Sequence, residues 1–123
     1  EKNFDKKISL KTDETQLLQV ISVLITNAKD AFIENDIKEA KIILKANKEN
    51  NILNIIISNN AGAIESTIKD KIFEPYFTTK SSSDGSGLGL YITKLIIENR
   101  LNSSIEVTTK NEWTSFVMKI KNI

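Results

Sequence analysis

Four short stretches of this 123-residue chain bring together residue types that can bind or move phosphate. The first is Asn27-Ala28-Lys29-Asp30-Ala31, inside an apolar helical pattern. An Asn there needs a polar partner, because an unpaired buried amide costs about 1–3 kcal/mol. Its carbonyl is also a hard oxygen ligand of the kind Mg2+ takes, and the flanking alanines let a ligand approach closely. The second is Ser58-Asn59-Asn60-Ala61-Gly62-Ala63-Ile64, directly after an apolar run. Small residues and a glycine at a strand end let backbone come close to a planar ligand. The third is Ile72-Phe73-Glu74-Pro75-Tyr76-Phe77-Thr78-Thr79-Lys80. Its three aromatics must pack somewhere and suit the anchor of a lid, and Lys80 beyond them is a point charge for phosphate oxygens. The fourth, Gly85-Ser86-Gly87-Leu88-Gly89-Leu90, opens a helix; glycines with exposed N–H groups at a helix start make a phosphate cradle. Each stretch alone also fits a plainer role: a satisfied helix Asn, an Asn-rich turn, a satellite apolar cluster, a glycine turn.

Composition removes other chemistries. The chain has no Cys and no His, so it has no disulfide framework, no thiolate or imidazole metal site, no histidine acid–base catalysis and no phosphohistidine of its own. Its 17 basic and 16 acidic residues are intermixed, without the basic segment of a nucleic-acid or membrane-surface binder. No apolar stretch approaches the roughly 20 residues that cross a bilayer. Glu1-Lys2-Asn3-Phe4-Asp5 lacks an initiator Met and a signal-peptide core, which reads as an internal start within a longer protein.

The elements that must position these residues follow from periodicity. Ile8-Ser9-Leu10-Lys11 alternates like a half-buried strand, and Thr12 and Asp13 can cap a helix. Leu17, Val20, Ile21, Leu24, Ala28 and Ala31 then mark an amphipathic helix over about 14–34. Strands are expected at 40–46 and 52–58 around a polar hairpin loop at 47–51. From 59 to about 87 the pattern lapses, and a loop that long in a compact domain is usually functional. Leu88, Tyr91, Ile92, Leu95 and Ile96 restore a helix to about 99, and strands at 104–109 and 115–121 meet at a turn around 110–112. Without β-α-β alternation, this order predicts an α+β sandwich with helices over one face of a mostly antiparallel sheet. One domain spans 1–123.

In this order the four stretches resemble the N, G1, F and G2 boxes of the ATP-binding catalytic domain of bacterial sensor histidine kinases. Their superfamily includes type II topoisomerases, mismatch-repair ATPases and a heat-shock chaperone. The resemblance implies a two-layer α/β sandwich of about five strands and about three helices with a long ATP lid. It implies Mg-ATP as the bound species and transfer of the γ-phosphate to a histidine on an adjoining dimerisation domain. Asn27 would ligate Mg2+, with Asp30 and Ala31 beside it, and Asn27 and Lys80 would be the catalytic residues. Asn59 stands where the family has an Asp that accepts from the adenine amino group. Gly62, Ala63 and Ile64 would line the base, and Thr114 would complete its pocket through water. Phe77, Thr78, Thr79 and Lys80 would belong to the lid, and Gly85, Gly87, Leu88, Gly89 and Leu90 to its hinge and the phosphate-binding helix start. The implied partners are the dimerisation domain and a response regulator, with no nucleic acid and no direct membrane contact. The implied place is cytoplasmic, in a parent that can be anchored in the inner membrane.

Departures from the pattern carry expectations too. Asn59 can accept one hydrogen bond but has no charge, so a loss of about 1–2 kcal/mol in ATP affinity is expected. Val23, one turn before Asn27, stands where kinases carry Asn and hydrolysing relatives a Glu, and it cannot take a proton from water. Ala63, Asn102-Ser103 and Trp113 stand where glycines are usual. Two other readings stay open: a degenerate nucleotide-binding module with a regulatory or scaffolding role, and a related serine kinase.

Overall fold

The computed structural model describes residues 2–4, 14–77 and 88–121. α1 (Glu14–Glu34) has the bounds its periodicity predicts. Leu17, Val20, Leu24 and Ala28, three or four residues apart, form its buried stripe. β2 (Ile42–Glu49) and β3 (Ile52–Asn59) follow as a hairpin. Its loop is shorter than the polar run suggests. Asn50 and Asn51 both adopt positive φ, 50° and 66°, which closes the hairpin in two residues and frees 47–49 to continue the strand.

α2 (Gly89–Leu95) runs on into a π-helical turn, Ile96–Arg100. β4 (Ser104–Lys110) and β5 (Trp113–Lys121) close the chain around Asn111-Glu112, with Asn111 at φ 56°. A short strand, β1 (Lys2–Phe4), pairs in parallel with β2. The strand expected at 8–11 and the caps Thr12 and Asp13 lie outside the described residues.

The sheet order is β1-β2-β3-β5-β4, with every pair antiparallel except β1 with β2. This is the expected α+β sandwich. Of about three helices expected, the described residues hold two, and 65–74 instead closes tight turns such as Lys69 N–H to Glu65 O at 3.1 Å. Alternation along β3 and β5 sends Leu53, Ile55, Ile57, Phe116, Met118 and Ile120 to one face, where they meet Leu17, Val20, Leu24, Ile96 and Ile97 of the helices. No helix among the described residues is long and apolar enough to cross a membrane.

Candidate functional site

The helix-covered face of the two central strands ends in a polar pair. Ile57 lies opposite Phe116, and one step along the ladder Asn59 lies opposite Thr114. Both are buried, Asn59 at 7% exposure and Thr114 at 3%. Buried polar groups need partners, and the turn after β3 supplies them. The Ala61 N–H donates to Asn59 Oδ1 at 3.1 Å, and Thr114 Oγ1 donates to the Gly62 carbonyl at 2.8 Å. The Gly62 N–H in turn donates to Glu112 O at 3.0 Å. These bonds hold Gly62 at φ 119°, a conformation open to glycine and strained for other residues. The neighbouring Asn60 is engaged at both ends: its Oδ1 accepts from Lys41 N–H at 2.7 Å and its Nδ2 donates to Glu39 O at 2.8 Å. Asn35, one turn beyond Ala31, donates from Nδ2 to Ala61 O at 2.7 Å and so ties the end of α1 to this turn.

The other half of the site lies where α1 packs on α2. A Cβ at Gly89 would sit 3.4 Å from Val23 Cγ1, so the Val23 stripe of α1 abuts the first residue of α2. Asn27 is on the same stripe one turn later, and Asp30 and Ala31 follow, all half-buried. Leu88 precedes α2 without a side-chain cap, and Leu90 packs against the core. Asn27 and Asn35 are eight residues apart, about 12 Å along the helix axis, so α1 spans both halves of the site.

Phe73 braces the segment between them. It meets Phe116 edge-on, with centroids 6.3 Å apart and rings at 83°, and Lys94 of α2 lies 5.1 Å over its face. Phe77 and Ile64 also pack against the core. Tyr76 does not: it is 75% exposed at φ 66°, so two aromatics of the stretch anchor it and the third does not. Pro75 precedes it, and the Phe77 N–H donates to Glu74 O at 3.4 Å across the turn. Thr78, Thr79, Lys80, Gly85 and Gly87 lie outside the described residues.

Comparison with known proteins gives a consistent match. Residues 12–122 match the model of the histidine kinase-, DNA gyrase B- and HSP90-like ATPases. The chain belongs to that family. The two-component sensor PprA of Pseudomonas aeruginosa is 32% identical over 108 residues, 85% of this chain and 12% of that protein. A probable C4-dicarboxylate sensor kinase of Halalkalibacterium halodurans is 33% identical over 101 residues, 81% of this chain and 19% of that one. The chain thus spans less than a fifth of these relatives. The catalytic domain of histidine kinase ThkA superposes with a TM-score of 0.81 at 28% identity, covering 98% of this chain and 79% of that domain. The relatives are sensor histidine kinases, and ATP binding is the property the ATPase family implies.

Within this ATPase fold, Asn59, Gly62 and Thr114 converge as one hydrogen-bonded cluster, and Val23, one turn before Asn27, meets Gly89 where α1 packs on α2. Ala63 is exposed at the rim of the turn. Asn60 belongs to the second stretch, but the supports Asn35, Glu112 and Lys94 are not legible as site residues. Each is joined to the site by a contact 18 or more residues away in sequence, and only the fold brings those together.

Proposed function

We propose that this chain binds ATP with Mg2+ and offers its γ-phosphate to a histidine on the dimerisation domain of its parent, in a two-component sensor. The observation that carries this is the buried Asn59–Thr114 pair closing the core face beside Gly62, in a chain of the ATPase family. The base would lie against Asn59, Gly62, Ala63, Ile64 and Thr114. The phosphates would meet Lys80, Gly85, Gly87 and the α2 start at Leu88, Gly89 and Leu90, with Phe77, Thr78 and Thr79 in the covering lid.

Asn27, beside Asp30 and Ala31, would hold Mg2+. One amide oxygen suits such an ion, because Mg2+ bound mainly by phosphates and water takes only one or two protein oxygens. When bound, the ion neutralises phosphate charge. The chain's own contribution is positioning and electrostatics. Val23, an apolar contact of α2, has no group to activate water, which favours transfer to a protein side chain over hydrolysis.

With no histidine in the chain, the phosphoacceptor lies elsewhere, and a response regulator would take the phosphate onward. The test is incubation of the chain with radiolabelled triphosphate, Mg2+ and the histidine-bearing domain of its parent. Acid-labile label on that domain, lost with Asn27→Ala, is the expected result. Acid-stable label would point to a serine kinase, and free phosphate alone to an ATPase; either overturns the reading.

A further inference from the structure

We propose that Asn35 is a positioning residue for base recognition, which locks the peptide between Ala61 and Gly62 in the orientation the base site needs. The inference rests on the nucleotide-binding reading above and names a residue that acts through the turn rather than on the base. Glycine at 62 leaves this peptide more than one orientation. Turning it over changes only ψ of Ala61 and φ of Gly62, and would carry Gly62 from φ 119° to about −60°, a region open to every residue. Local backbone preference therefore does not hold the observed state, and the bonds on the peptide must. On one edge the Gly62 N–H donates to Glu112 O at 3.0 Å. On the other, Asn35 Nδ2 donates to Ala61 O at 2.7 Å, from the end of α1. A carbonyl only accepts, so the amide of Asn35 is turned with its NH2 toward Ala61.

Asn35 is a firm support for this purpose. Its own N–H donates to Ala31 O at 3.0 Å in the last turn of α1, and the helix stops there with Asp36 at φ 51°. The Cα of Asn35 is thus set by the helix, and two side-chain torsions place its amide. The peptide that it holds is the middle link between the two buried polar residues of the site. Before it, the Ala61 N–H donates to Asn59 Oδ1 at 3.1 Å; after it, the Gly62 carbonyl accepts from Thr114 Oγ1 at 2.8 Å. Its orientation therefore sets how the chain passes from one to the other. Without Asn35 the peptide is held at one edge only, by Glu112, and an arriving base must order it. That ordering is charged to binding, at about threefold to tenfold in affinity for one immobilised polar group.

The test is calorimetric titration of the 123-residue chain and its Asn35→Ala and Asn35→Asp variants with ATP and Mg2+. Beside it, hydrogen exchange at the Gly62 N–H is followed by NMR in the nucleotide-free chains. Asn35→Asp keeps the shape of the side chain, but at neutral pH it has no proton to give Ala61 O. Both variants should bind ATP about threefold to tenfold more weakly at unchanged stoichiometry. The Gly62 N–H should exchange faster in both, while the amides of β3 and β5 keep their native rates. A merely structural role would move other quantities: stoichiometry would fall at constant affinity as fewer molecules fold, and exchange would rise across the sheet. That pattern, or unchanged ATP affinity in Asn35→Ala, overturns the inference and leaves the nucleotide site standing. Should neither variant fold, the native chain decides alone: a Gly62 N–H protected before ATP is added upholds the lock, and one protected only by ATP overturns it. No ATP bound by the native chain overturns the nucleotide reading itself, and this inference with it.

Discussion

Gly62 and Gly89 separate two reasons for a glycine, and the same substitution should act on them in different ways. At Gly62 there is room: an added Cβ would lie 3.8 Å from Asn35 Nδ2 and 3.9 Å from Glu112 Oε2, ordinary van der Waals distances. The cost of Gly62→Ala is therefore conformational. A φ of 119° lies outside the regions open to L side chains, and holding a residue in such a region costs about 1–3 kcal/mol. The turn cannot relax cheaply, because the bonds to Glu112 and Thr114 both run through Gly62, and releasing either forfeits about 1 kcal/mol. We expect a destabilisation of about 2 kcal/mol, or roughly 8 °C in Tm for a domain of this size. At Gly89 the backbone is ordinary and the new methyl group would touch Val23 Cγ1 at 3.4 Å, while alanine gains up to about 0.5 kcal/mol of helix propensity near a helix start. Gly89→Ala should leave stability unchanged or slightly raised. Urea unfolding followed by circular dichroism measures both. Equal midpoint shifts in the two variants, or no shift for Gly62→Ala, would refute the argument that backbone conformation sets the requirement.

Further outcomes follow from the supports of the site. Asn60→Ala removes two partly solvated bonds to backbone and should cost about 1 kcal/mol in urea unfolding. Phe73→Leu should cost about 1–2 kcal/mol through loss of the edge-on contact with Phe116 and of the face beneath Lys94. Lys94→Gln should cost under about 0.5 kcal/mol, because that side chain is 40% exposed and its pairing with Glu98 at 3.9 Å is screened by salt. A double-mutant cycle with these two substitutions should show coupling at the lower end of the cation–π range, and zero coupling would remove Lys94 from the brace.

Local periodicity carried much of the fold. The stripe Leu17, Val20, Leu24 and Ala28 marks the buried face of α1, and the run Ile55-Ile56-Ile57 centres β3 correctly, while β2 starts two residues after the expected 40 and runs three past the expected 46. What escaped was set by single backbone conformations or by long-range pairing. Asn50, Asn51, Asn102 and Asn111 all take positive φ, which Asn tolerates better than most residues, so turns that usually call for glycine are built here from asparagine. That accounts for the tighter β2–β3 loop and for an Asn at 102 where glycine is usual. The π turn after α2 left no mark on the spacing of its apolar residues. Asn59 and Thr114 were each legible as base-site candidates, but their adjacency comes from strand register across 55 residues of chain.

Residue identity says that Asn59 keeps one oxygen where the family's Asp has two, and a weakened but retained adenine contact follows from that count. The structure shows that this oxygen also serves the turn, accepting from the Ala61 N–H at 3.1 Å, which leaves it a second lone pair. The change from carboxylate to amide therefore removes a charge and one of two oxygens, and it keeps the bond that holds the turn. Thr114 is committed in turn to the carbonyl of Gly62, a residue held in a conformation that few others could adopt. A substitution conservative in shape thus leaves the hydrogen bonds of the fold intact, and its cost falls on what the pocket can offer a base.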